Sequence, residues 1–183
     1  QAGITQLGCW AHARRKFVEA QKAAGKQKKA GKADVAVSMI AKLYAIEKRV
    51  ESMAPEARHA LRQQESLPQL QAIRAWLDKT LHTTLPKGLL GKALGYLDKN
   101  WDKLTIYTED GRLSIDNNRA ENAIRPFVVG RKNWLFSASV AGAAASANLY
   151  SLIETAKANG LEPYTYLRRV FTELPNAQRL DDI

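Results

Sequence analysis

Cysteine is almost missing from this chain: Cys9 stands alone among 183 residues. No intrachain disulfide can form, which suits a reducing compartment. The histidines His12, His59 and His82 lie far apart, so with a single thiol no zinc-ligand spacing arises. Long apolar runs are lacking too. No stretch approaches the ~20 apolar residues of a membrane span, and no signal peptide opens the chain. No internal repeat is present. Strand signals are scarce, and only residues 3–11 (GITQLGCWA) read as a strand, apolar on both faces and therefore buried. Acidic side chains are outnumbered, 18 Asp and Glu against 28 Lys and Arg, giving a net charge of +10 and a pI near 9.8. Such an excess favours an anionic partner, nucleic acid being the commonest, over the plainer reading of a basic protein with no special partner. The chain begins with Gln1, and we expect it to be a piece of something longer.

What is present is helix. Hydrophobic residues make up 45% of the chain and charged residues 25%, enough for a core in one domain or in a domain plus a subdomain. Ala36, Met39, Leu43, Ile46, Val50 and Met53 alternate three and four apart, the seam of helices packed lengthwise. Pro55 opens a short helix to Gln64, and Ser66 and Pro68 open another with Leu70, Ile73, Leu77 and Leu81 on one face. Thr84 and Pro86 open a fourth, with Leu90, Leu94, Leu97, Trp101 and Leu104 as its seam. Residues 34–108 thus read as an antiparallel bundle whose stripes are core. The lysine-rich stretch 22–33 reads as a solvated linker or as a non-specific phosphate contact. Ser137 to Ala147 is small and reads as flexible. Leu149, Leu152, Ile153 and Ala156 mark a helix ended by Asn159-Gly160. Pro163 begins the last helix, and the tail to Ile183 is expected to be loose.

The stretch around which the chain is organised is Ser114 to Phe136, SIDNNRAENAIRPFVVGRKNWLF. Asp116, Asn117 and Asn118 are good helix caps, so a short helix should run toward Arg125. Pro126 should end or kink it. Gly130, Arg131, Lys132 and Asn133 then read as a basic turn before Trp134, Leu135 and Phe136 return to the core. One carboxylate, Glu121, sits among cations, an arrangement fit for a metal-bound carboxylate at a phosphate backbone. The same spacing also fits a capping box, Asn118 with Glu121 three residues on. His12 can touch a phosphate or simply pack. Trp134 can anchor the turn or stack on a base.

Four stretches together resemble the insertion-sequence-66 family of bacterial transposases. They are residues 8–17 (GCWAHARRKF), 116–126 (DNNRAENAIRP), 130–136 (GRKNWLF) and 149–167 (LYSLIETAKANGLEPYTYL). The resemblance implies a mainly α fold: a helical bundle insertion plus the C-terminal helices of a ribonuclease-H-like core, with at most one or two short strands. It implies the last core strand, first helix and basic linker over 1–33, the all-helical insertion over 34–113, and the end of the core over 114–183. It implies that Glu121 is the catalytic and metal-binding Glu of a site completed by two Asp residues upstream. Mg²⁺ or Mn²⁺ would serve the intact enzyme, which cleaves phosphodiesters and transfers strands. His12, Arg14, Arg15, Arg119, Arg125, Arg131, Lys132 and Asn133 would contact DNA, holding phosphates without reading sequence. Transposon ends and target DNA are the implied partners, with homo-oligomerisation and accessory transposition proteins, in the bacterial cytoplasm at the nucleoid. Without the Asp pair, the chain alone is expected neither to bind metal tightly nor to cut DNA. It departs from the family in carrying Ser137-Ala138-Ser139 where an acidic residue is usual. The competing reading is a non-catalytic basic helical module that binds DNA or a transposase subunit.

Overall fold

Helix is the only regular structure among the described residues, which in this computed structural model are 5–25, 30–135 and 137–177. The mainly α expectation holds, and the strand over 3–11 does not. Residues 5–9 form neither helix nor strand, and helix α1 (Trp10–Ala24) takes over at Trp10; residues 3 and 4 lie outside the described range. A strand needs a ladder partner, and these backbone groups bond elsewhere. Gly8 N–H donates to Lys103 O at 2.8 Å and Trp10 N–H to Ile115 O at 3.2 Å. The Trp10 indole donates to Leu104 O at 2.8 Å, so the apolar character that read as a buried strand serves to seat a helix start.

Residues 1–118 form one compact unit. It contains α1, α2 (Lys32–Val50), α3 (Pro55–Leu61), α4 (Leu67–Leu81), α5 (Leu89–Lys99) and α6 (Trp101–Thr105). The seams fall inward as spaced: Ala36, Leu43, Ile46 and Val50 from α2, Leu70, Ile73 and Leu77 from α4, Leu94, Leu97 and Leu104 from α5 and α6 are buried. Ile40 joins them where Met39 is only half-buried, and Met53, the last residue of the expected seam, lies beyond the end of α2 and is exposed. Helix α1 lays Trp10, Ala13 and Phe17 into the same core. Each large side chain so buried is worth roughly 1.5–3 kcal/mol. Thr84 does not open α5. Its hydroxyl donates to Thr80 O at 2.8 Å and closes α4 instead. The expected break before Ser66 is also absent, because a π turn (Arg62–Ser66) carries α3 straight into α4.

Arg62 opens that turn. Its side chain is 1% exposed and donates five hydrogen bonds. Nε and Nη2 meet the two Glu47 oxygens at 2.9 and 2.6 Å, while Nη1 reaches the carbonyls of Tyr107 (2.7 Å) and Asp110 (3.0 Å). Nη2 also reaches Leu113 O at 3.0 Å. A guanidinium has five N–H groups, so every donor is used. The 107–113 segment, which leads into the stretch before α7, is thereby tied to α2 and to the π turn. Gly111 sits in that segment against Pro55, where a Cβ would lie 1.8 Å from the Pro55 carbonyl oxygen.

Residues 119–183 form the second unit. Helix α7 spans Asn118–Trp134, α8 Val140–Ala158 and α9 Pro163–Glu173. Two expectations fail here. Pro126 neither ends α7 nor leaves 130–133 as a turn, since the helix continues to Trp134. The missing N–H of Pro126 costs helix stability. Packing beside it recovers part of that cost: Phe127 meets Tyr150 of α8 edge-on, with ring centroids 5.1 Å apart. Ser137 to Ala147 is not a flexible stretch either. Alanine is the best helix former, and Ser139 Oγ accepts from Gly142 N–H at 3.0 Å to cap α8. The end of α8 comes where Asn159-Gly160 put it, with Gly160 at φ +71°. The readings of Lys26, Lys28, Lys29, the Trp134 side chain, Phe136 and the tail after Ala177 fall outside the described residues.

Candidate functional site

The approach to α7 is anchored in the first unit from several sides. Ile115 is buried, and its carbonyl accepts from Trp10 N–H. Asn117 N–H donates to Cys9 Sγ at 3.5 Å. Asp116 receives the Tyr44 hydroxyl at 2.9 Å on Oδ2, across 72 positions of sequence. The same carboxylate accepts Asn118 N–H on Oδ1 at 3.1 Å and Asn118 Nδ2 on Oδ2 at 2.9 Å. Burial, and then the Asp116 carboxylate, push the Tyr44 phenol far above its ordinary value. Tyr44 therefore remains a neutral donor at any physiological pH. The Asn118 N–H, the donor that a capping box would use, is given to the Asp116 carboxylate two residues back.

Glu121 lies in the first turn of α7, half-buried and not without a partner. Arg119, Arg125, Arg131, Lys132 and Asn133 are all exposed on the same helix. Because α7 runs on through Pro126, spacings of four and seven put Glu121, Arg125 and Lys132 along one face. Lys132 then stands about 16 Å from Glu121 along the axis. Arg131 and Lys132 also occupy the last turn, where cations complement the helix dipole. In the first unit His12 is half-buried in the first turn of α1 and has a partner. Arg14 and Arg15 are exposed on α1 and border a cleft with Tyr44 and Asn118. Sequence reasoning missed Tyr44. It stands one position off the α2 seam, and nothing local announces a partner so far along the chain.

Residues 1–145 match the family model described as Transposase IS66 family, and residues 151–183 match the IS66 C-terminal element. The chain belongs to the IS66 transposase family. Curated relatives of this IS66 chain come from Sinorhizobium fredii (strain NBRC 101917 / NGR234). "Uncharacterized protein y4hP" is 34% identical over 179 residues, covering 93% of this chain and 32% of that protein. "Uncharacterized protein y4jD" is 34% identical over 166 residues, covering 91% and 32%. The IS66 chain thus spans about a third of the length of the curated relatives it matches. No solved structure matches it.

Glu121 is a hard oxygen donor of the kind Mg²⁺ or Mn²⁺ takes. It is one ligand and not a site: among the described residues no three His, Cys, Asp or Glu side chains gather to hold a metal ion. Among those same residues no helix is long and apolar enough to cross a membrane.

Proposed function

We propose that this IS66 chain is the C-terminal part of the catalytic core of a DNA transposase, a core of the ribonuclease-H type, with Glu121 as its acidic residue. Two Asp residues from elsewhere in the whole protein complete the acidic set. With Mg²⁺ or Mn²⁺ bound, such a set stabilises charge on the attacking and leaving oxygens of a phosphodiester. Within this chain, Glu121 supplies one carboxylate from a helix whose start is fixed by Asp116. Arg125, one turn from Glu121, holds a phosphate beside the reacting bond, Lys132 on the same helix face holds one further along the strand, and Arg131, Arg119 and Asn133 extend the contact. Arg14, Arg15 and His12 serve DNA from α1. These contacts fix register without reading bases. The observation that carries the reading is the unbroken α7, which supplies a carboxylate and two cations on one face. The whole protein acts on transposon ends and target DNA in the bacterial cytoplasm, as a homo-oligomer and with accessory transposition proteins.

Glu121→Gln in the whole protein tests this. Donor cleavage and strand transfer should vanish, while circular dichroism and DNA binding stay as in the parent. Retained cleavage would remove Glu121 from the chemistry and leave this chain a DNA-binding module.

A further inference from the structure

The arginines of the first unit divide sharply by what they touch. Arg49 pairs with Glu65, Arg74 with Asp78 and Asp98, and Arg112 with Asp110. Arg58 donates to four backbone carbonyls, and Arg62 is saturated. Arg14 and Arg15 alone form no hydrogen bond or ion pair among the described residues. They are adjacent, exposed, and border one cavity of about 450 Å³ between α1 and α2. That volume lies within the roughly 300–1,000 Å³ of small-ligand sites.

The walls of this cavity are not those of a plain anion site. Ala11, Val18 and Ala41 are small and apolar, and Tyr44 adds an aromatic ring. The ring is held in place by its hydroxyl, which is bonded to Asp116. Asn118 closes one end. Its Nδ2 gives one of its two hydrogens to Asp116, which leaves the other hydrogen and Oδ1 for a base edge. Two unpaired guanidinium groups beside an apolar and aromatic wall match a phosphate joined to a flat ring. A base in duplex DNA is stacked and cannot enter such a cleft without leaving its pair.

We propose that the cleft takes one unpaired nucleotide of a DNA strand, its base among Val18, Ala41 and Tyr44 and its phosphate at Arg14 and Arg15. This deepens the DNA-processing reading above and rests on it: cleavage frees a strand end for transfer, and the cleft holds one unpaired nucleotide of that strand.

The test uses the 183-residue chain and two fluorescein-labelled probes read by anisotropy. One is an oligothymidylate of about 12 nucleotides, within the site sizes of single-strand binders. The other is a blunt hairpin duplex. Ala41→Phe fills the cleft from an exposed position and leaves every charge in place. It should weaken oligothymidylate binding roughly ten-fold, in keeping with the loss of one stacked base, and leave duplex binding within about two-fold. Arg14→Gln with Arg15→Gln alters only exposed side chains; it should weaken the duplex through the loss of general phosphate attraction and the single strand by several-fold more. Thermal melting of both variants should match the parent. Equal loss on both probes, or none on the single strand, overturns the cleft assignment while leaving the DNA reading intact. Binding of neither probe by the parent chain overturns both.

Discussion

Arg62→Ala should be among the most damaging single changes in the chain. The substitution strands the Glu47 carboxylate, whose side chain is 14% exposed, together with three carbonyl oxygens. Removing one partner of a buried ion pair costs about 3–5 kcal/mol, chiefly through the uncompensated charge left behind. At about 2–4 °C per kcal/mol for a chain of this size, the melting temperature should fall by on the order of 10 °C. Arg62→Lys should recover little, since an ammonium is a point donor and cannot span two carboxylate oxygens and three carbonyls at once. Replacing both partners, Arg62→Met with Glu47→Leu, should cost less than the two single changes summed, because no charge is then left alone. Urea unfolding followed by circular dichroism measures the parent, Arg62→Ala, Arg62→Lys, Arg62→Met, Glu47→Leu and the double variant. Hydrogen exchange should show the 107–113 amides losing protection first in Arg62→Ala. A loss below about 1 kcal/mol for Arg62→Ala, or strict additivity in the double variant, would refute the argument that this guanidinium holds the segment.

Three further outcomes are expected. Gly111→Ala forces a methyl onto the Pro55 carbonyl and should cost about 1–3 kcal/mol in urea unfolding; an unchanged midpoint would mean that the two backbones part easily. Arg112 holds the Asp110 carboxyl down to about 2 from an ordinary 3.8. A depressed carboxylate stabilises above its unfolded pKa and loses that effect as pH falls through the folded one, so melting temperature should drop between about pH 4 and pH 2; Arg112→Ala should flatten that part of the profile. Arg131→Ala with Lys132→Ala should weaken duplex binding evenly across sequences and reduce the salt slope by about one per residue removed. A change in sequence preference without a change in slope would argue against phosphate contacts.

The helical seams were legible because burial follows spacing: Leu43, Leu77 and Leu94 stand where a three-and-four alternation puts them. The end of α8 was legible for a local reason as well, the freedom of Gly160 to adopt positive φ. Reading failed where a local signal had two uses. Thr84 looked like a helix opener and is a helix closer. Pro126 looked like a stop, yet α7 runs through it to Trp134, with Phe127 packed edge-on against Tyr150 of α8. The apolar run at 3–11 looked like a strand, but among its described residues the backbone bonds go to Lys103 and Ile115.

For the candidate site, the cations and the carboxylate of α7 could be named from the sequence, and so could the family, because motifs and net charge are properties of residue order and composition. That Glu121, Arg125 and Lys132 share a face required a helix that local rules would have broken at Pro126. That Arg14 and Arg15 are uncommitted while Arg62 is saturated required knowing where each carboxylate had gone. The Tyr44–Asp116 bond that fixes the approach to α7 joins residues 72 positions apart. Periodicity reaches a few turns along a chain, and only folding brings such groups within hydrogen-bond distance.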